Sequence, residues 1–420
     1  MHTVLSLARV ALICLVVACA PTPLPPTNAA ATDLRFVTET VRQTHPALNG
    51  GPSRRAFDLL AQALETTTSE SSTPAEVYSL TARLLSSLHD AHTLIVPERT
   101  DTNLPLKFRW LVDGLVVTQA SATSGFAVGD EVLRIGALKP AEVLERLRML
   151  IPAENDGHIR ALGALLLPNA TLLEAIGVLE NASVMIEVRS ADGRTVSTSV
   201  KLSSERLNTT ERGKYGWLLE PQYGLFWLDT CDDTPEFRRA LLQFFTAIKK
   251  ANLNRMAIDL RNNSGGDSRV IDALLEYLPA DTVRGFHRPE NDGVFQVSHP
   301  IPELVFDGEL FVITGPFTFS SANWIAGTIH DNRLGLTVGE TTGNAPTSFG
   351  NVKAFTTPNF KLRFQVSQTL WLRPNMGFDP TPGLEPDVLI PTTVRDMQRG
   401  HDPVLAWLTG PSSSVRRANR

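Results

Sequence analysis

The chain has 420 residues, 42% of them hydrophobic and 20% charged, with a formal net charge of −5. That composition is globular, with room for two or three domains, and it lacks the basic footprint that a phosphate backbone demands. Of the three cysteines, Cys14 and Cys19 fall in the first twenty residues. The remainder has no internal disulfide of its own, and Cys231 reads as a small buried apolar residue.

An apolar run from near Val4 to Val17 is too short to span a bilayer but suits a signal segment. It ends in Val16-Val17-Ala18-Cys19, which resembles a bacterial lipoprotein box. Cleavage before Cys19 would leave that cysteine lipidated, with 1–19 as signal peptide and 20–32, rich in Pro, Ala and Thr, as an extended tether. The alternative is a plain secretory signal cut after Ala18 or Ala20. The expected location is an exported, membrane-anchored lipoprotein facing the periplasm or cell surface.

Residues 33–100 are expected to form a helical region. Leu34, Val37 and Val41 sit at helical spacing, as do Phe57, Leu60 and Leu64. Thr73-Pro74-Ala75-Glu76 combines a capping box with proline at the first helical position, and Val77, Leu80, Leu84 and Leu88 follow on one face. Residues 104–202 turn to strands at Leu115–Val117 and Val132–Ile135, with a helix at 140–150 and a Leu/Ala-rich insert at 159–177. The stretch Gly129–Gly136 resembles the strand-and-helix signature of a PDZ domain, whose open sheet edge accepts a peptide strand; a generic small β domain is the alternative.

From residue 205 to 410 strand, loop and helix alternate: strand 224–228 and helix 235–250, strand 256–260 and helix 268–278, strand 310–313 and a helix from near Ser321. This predicts an α/β layer structure on a largely parallel sheet, with chemistry in loops beyond the carboxyl ends of the strands. The Ser/Arg-rich end, 411–420, reads as a frayed tail.

Two of those loops carry chemistry. In Asp259–Gly266 the paired Gly265 and Gly266 let backbone N–H groups face a substrate, as an oxyanion hole requires. In Gly315–Ala322 a strand turns into a helix at Ser320, where a serine is exposed and its neighbouring N–H groups face developing negative charge. Each has a plainer meaning, a tight turn and a serine N-cap.

Taken together, these loops resemble the tail-specific, or C-terminal processing, serine peptidase family, with its tricorn-core and interphotoreceptor retinoid-binding relatives. The resemblance extends through Leu88–Thr93, Val338–Gly343, Gly383–Val388 and Gly400–Leu405, in the family's order. It implies a crotonase-like ββα spiral for the catalytic domain. It implies Ser320 as nucleophile, and an oxyanion hole built from the N–H groups of Ser321 and of Gly265 or Gly266.

For the general base, the family lysine position falls at about Ala345, and Lys353 is displaced from it. The tricorn-like branch instead uses a histidine in an Asp-x-His-Thr segment, which Asp90-Ala91-His92-Thr93 matches; His92 is the expected base. Asp379, ahead of Gly383, is the expected third member, with Glu340 as runner-up. The resemblance thus implies a serine endopeptidase acting on peptides or unfolded proteins, without cofactor or metal. The rival is a catalytically inactive lipoprotein on the same scaffold that binds peptides or lipophiles. No His-Glu-x-x-His, Gly-x-Ser-x-Gly or phosphate-cradling loop is present.

Overall fold

The computed structural model describes residues 28–205, 207, 212–375 and 381–410. It opens on three helices, α1 (Ala29–Thr44), α2 (Gly51–Glu65) and α3 (Pro74–Ser86). The expected capping box starts α3. The Thr73 hydroxyl accepts the Glu76 N–H at 3.2 Å, and the Glu76 carboxylate accepts the Thr73 N–H at 2.8 Å. Leu88 falls beyond the helix. The chain turns at His89, in the left-handed region at φ 50°, and enters the short strand β1 (Leu94–Ile95).

A five-stranded antiparallel sheet follows, in the spatial order β2 (Leu106–Trp110), β3 (Leu115–Ala120), β4 (Glu131–Ile135), β5 (Ser183–Arg189) and β6 (Thr195–Lys201). Between β4 and β5 come α4 (Pro140–Arg148), α5 (Asp156–Leu166) and α6 (Ala170–Ala175); the Leu/Ala-rich insert supplies most of the last two. Leu34, Val37, Tyr78 and Leu84 of the first helices share one core with Leu115, Ile135, Leu147, Leu172 and Ile186. Apolar faces that each element cannot bury alone are thereby joined across the division expected near residue 100.

The rest is built on a six-stranded sheet. In chain order its elements are β7 (Tyr215–Leu219), β8 (Gly224–Leu228), α7 (Pro235–Ala251), β9 (Arg255–Asp259), α8 (Val270–Leu275), the small hairpin β10 (Thr282–Arg284) and β11 (Val294–Gln296), β12 (Glu309–Thr314), α9 (Ser321–Asp331) and β13 (Leu336–Gly339). A long hairpin, β14 (Ser348–Thr356) and β15 (Arg363–Trp371), leads to β16 (Val388–Leu389), α10 (Val394–Gln398) and α11 (Pro403–Thr409). The sheet order is β16-β13-β12-β9-β8-β7, parallel throughout except at the β7–β8 edge. All five residues of β9 are buried, as a central parallel strand with both faces covered requires. Helix α8 covers Val270–Leu275, shorter at both ends than the expected 268–278.

The hairpin, unforeseen in the sequence, decides how the N-terminal region meets the sheet. Strand β1 pairs with β15, Leu94 opposite Gln365 and Ile95 opposite Phe364. At the hairpin's turn the buried Asp33 carboxylate of α1 accepts the N–H groups of Asn359 and Phe360 at 2.9 and 2.8 Å.

At the far end of α9, His330 lies between Asp331 (2.8 Å) and Asp387 (3.6 Å), and Arg373 donates to Asp331 at 3.0 Å. The Asp331 and Asp387 carboxylates hold the imidazole pKa up at about 9, above its ordinary 6.5. A group with a raised folded-state pKa contributes fully below its unfolded pKa and loses its contribution as pH rises through the folded one. Thermal unfolding should therefore show melting points that fall between about pH 6.5 and 9, more steeply in wild type than in His330→Gln. Parallel slopes for the two proteins would refute this assignment.

Candidate active site

Two loops leave the carboxyl ends of the adjacent strands β9 and β12 and are tied to each other. Thr318 Oγ1 donates to the Leu260 carbonyl at 2.9 Å, and the Phe319 N–H donates to the Asn263 carbonyl at 3.0 Å. This pair of bonds presents Ser320 with φ 54° and ψ −123°, a conformation L-residues seldom hold without surrounding support. Support comes from the buried Asn344, whose Oδ1 accepts the Ser320 N–H at 2.9 Å. Ser320 occupies the N-cap position of α9, yet its hydroxyl caps nothing. The plain N-cap role is thus unfilled, and the side chain stands at the positive end of an eleven-residue helix.

Gly265 lies directly against this serine. A Cβ there would sit 2.7 Å from Ser320 Cβ and 3.1 Å from the Ser321 nitrogen, and its φ of +101° favours glycine. Its own N–H is taken by Asn263 Oδ1 at 2.8 Å. Gly266 pairs with Cys231 on one side, leaving its carbonyl to accept the Ser321 hydroxyl at 2.7 Å on the other. Gly266 and Ser321 are therefore the better placed of the expected N–H donors. Cys231 is buried as expected, its thiol pushed up to about 12 by burial, which makes it a poor nucleophile.

His92 arrives on the segment that β15 holds. Gln365 Nε2 donates to the His92 carbonyl at 2.9 Å, and the Ser367 N–H donates to Thr93 Oγ1 at 2.9 Å. The His92 ring packs on Phe319, the residue before Ser320, with centroids 4.4 Å apart; the buried His158 packs on the same ring at 4.6 Å. Below His92 lies Asp90, fully buried. Its Oδ1 accepts the His92 N–H at 3.0 Å, and its Oδ2 lies 3.0 Å from His45 Nε2. His45 Nδ1 accepts the Ala47 N–H, so Nε2 carries the proton and donates it to Asp90. Burial alone would raise the Asp90 carboxyl, but His45, His92 and Thr93 together hold it at about 2. Burial pushes the His92 pKa down against the pull of Asp90, and pushes His158 to about 3.

Ser320, Ser321, Gly265 and Gly266 are thus brought together, and His92 packs on Phe319, the residue before Ser320. Cys19 and Asp379 lie outside the described residues. Glu340 spends a carboxylate oxygen on the Thr392 N–H at 2.8 Å, a structural role. Lys353 is exposed on β14, its ammonium over the Phe355 ring. Residues near the site that went unremarked in the sequence include His45, His158, Asn344, Glu154 and Asn155. Asn155 was recoverable as the N-cap of a helix, but a lone Glu154 gives no signal. One ligand atom each from Asp90, His92 and Glu154 lie within 4.8 Å of one another.

Residues 227–390 match the model of Peptidase family S41. A carboxyl-terminal-processing protease of Picosynechococcus sp. is 25% identical over 285 residues, which cover 64% of this chain and 62% of that protein's length. Among solved structures, mature CPAF complexed with lactacystin superposes with a TM-score of 0.71 at 14% identity, covering 91% of this chain and 97% of that one. Mature CPAF gives 0.67 at 15%, covering 91% of this chain and 95% of that one. The superpositions establish a shared mixed α/β fold. The motifs that resemble tail-specific peptidases lie mostly inside the segment, residues 227–390, that matches Peptidase family S41.

Proposed function

We propose that the protein is an exported serine peptidase that cleaves peptides or proteins through an acyl-enzyme on Ser320, with His92 as general base. The observation that carries this is the strained, uncapped Ser320 at the start of α9, one residue from the ring on which His92 packs. Burial lowers the His92 pKa, so the imidazole is neutral rather than cationic, and in the tautomer that leaves Nε2 without a proton it takes the Ser320 proton as the oxygen attacks the scissile carbonyl. The oxyanion meets the N–H groups of Gly266 and Ser321 at the helix N-terminus, with Gly265 leaving space for it. The imidazolium returns its proton to the leaving amine, and water then cleaves the ester with His92 acting again as base. Asp379 is the family-like candidate for a supporting carboxylate.

In this reading residues 205–410 form a crotonase-like spiral domain. The β2–β6 sheet with its helices is a PDZ-like module that selects peptide substrates, and Cys19 carries a lipid anchor. The rival, a binding protein without turnover, leaves the uncapped hydroxyl and its strain without a purpose. Intact-protein and peptide mass spectrometry after treatment with a serine-directed phosphonate tests both parts. We expect one adduct, on Ser320, and a mature N-terminus at lipidated Cys19. An unlabelled Ser320 sinks the peptidase, and an unmodified chain starting at Ala20 or later sinks the anchor.

A further inference from the structure

The loop between α4 and α5 reaches from the inserted helices into the S41 region. Asn155 fixes it there: Oδ1 caps α5 through the His158 N–H at 3.0 Å, while Nδ2 donates to the Thr342 carbonyl at 3.1 Å and the Pro382 carbonyl at 2.6 Å. Thr342 lies two residues before Asn344, which holds Ser320. The neighbouring Glu154 is thereby aimed at the Asp90–His92 segment, where its Oε1 accepts the Ala91 N–H at 3.4 Å.

Buried atoms in this corner without a hydrogen-bond partner include Glu154 Oε2, His92 Nδ1 and His158 Nε2, and the first two belong to side chains with ligand atoms close together. A ring nitrogen of His92 and a carboxylate oxygen of Glu154 lie within 4.8 Å. Two orphaned polar atoms sealed from water are costly apart and are relieved by one shared proton. Asp90 accepts the His45 proton and the His92 N–H and makes no hydrogen bond to His92 Nδ1.

We propose that Glu154 is the positioning residue for His92: its carboxylate and the buried Nδ1 share one proton, which fixes the tautomer that leaves Nε2 free to take the proton of Ser320. This rests on the Ser320–His92 reading above. The supporting carboxylate then comes from the inserted helices, outside the matched residues 227–390, and the site is complete only when the α4–α5 loop is docked by Asn155.

Burial and the Asp90 anion push the Glu154 carboxyl up to about 8. The charged and titratable groups facing the pair are Asp90, His158 and, through Asp90, His45. While Glu154 holds its proton it donates to Nδ1, and the other ring nitrogen is then the protonated one, unfit to act as base. Once ionised it accepts Nδ1–H, and Nε2 is free. Peptidase activity of the full chain should therefore rise with pH through about 8.

The test compares wild type, Glu154→Gln, Glu154→Asp and Asp379→Asn in the full chain, reading kcat, KM, the pH profile and the rate of phosphonate labelling. Glu154→Gln should lower kcat by on the order of 10²- to 10³-fold with KM little changed, and should lose the rise near pH 8. Glu154→Asp should recover about tenfold or more of that loss, as a merely structural carboxylate would not require. If Glu154→Gln melts early, Glu154→Asp decides: a wild-type melt with reduced kcat supports the assignment, and unreduced kcat overturns it. Wild-type kcat and an unshifted profile in a stable Glu154→Gln also overturn it. If wild type is labelled at Ser320 and Glu154→Gln is labelled equally fast, this inference alone falls; if wild type is not labelled, the peptidase reading itself falls.

Discussion

Ser320→Ala and His92→Ala should each lower kcat by on the order of 10³-fold or more, and the double variant should lose little beyond the worse single one. The near-equality matters more than the size. A nucleophile without its base and a base without its nucleophile are disabled in the same step, so the second loss has nothing left to remove. Additive losses would mean that the two groups act separately, and His92 would then serve packing on Phe319 rather than proton transfer. Lys353→Ala is the internal control. Its exposed side chain on β14 stacks on Phe355, and activity should stay within about twofold of wild type.

The second large effect belongs to Gly265→Ala. A methyl group there lies 2.7 Å from Ser320 Cβ and 3.0 Å from the Phe319 carbonyl, on a backbone at φ +101°. Ser320 is itself in a strained conformation, so it cannot retreat without losing the orientation of its hydroxyl. The expected cost is on the order of 10²- to 10³-fold in kcat, comparable to losing one oxyanion donor, with about 1–3 kcal/mol in stability from the φ alone. Gly193→Ala also sits at positive φ, +86°, but meets nothing within 4 Å, and should lose stability only. A Gly265→Ala protein that keeps kcat within tenfold would show that Gly265 does not shape the site.

The parallel sheet was readable in the sequence because β8, β9 and β12 are short apolar runs, each followed by a loop and a helix, and that period has few other solutions. Ser320 and the paired glycines were readable because their residue types have special backbone uses. The β14–β15 hairpin was not. Its strands carry mixed polar sequences such as Gly350-Asn351-Val352-Lys353, with no clean alternation to mark one buried face. That omission hid the route by which His92 reaches the sheet. Glu154 was illegible for a different reason: its meaning depends on two orphaned atoms meeting across the fold, which no local pattern encodes. Asn344 stood beside Ala345, where attention went to the absent lysine, and its use as the acceptor for the Ser320 N–H shows only in the geometry.

The pairing of β1 with β15 also sets an order of events in time. A chain made N-terminus first exposes His92 long before Ser320 exists, and Ser320 in turn precedes the strand at 363–371 that holds the His92 segment in place. Contacts so distant in sequence close late, because the entropy of a long loop must be overcome before they form. Each half of the site is therefore made without the other during synthesis. The site is assembled only when the hairpin closes on a segment made more than two hundred residues earlier, so on the reading proposed above no nascent fragment holds both Ser320 and a seated His92 before folding is complete.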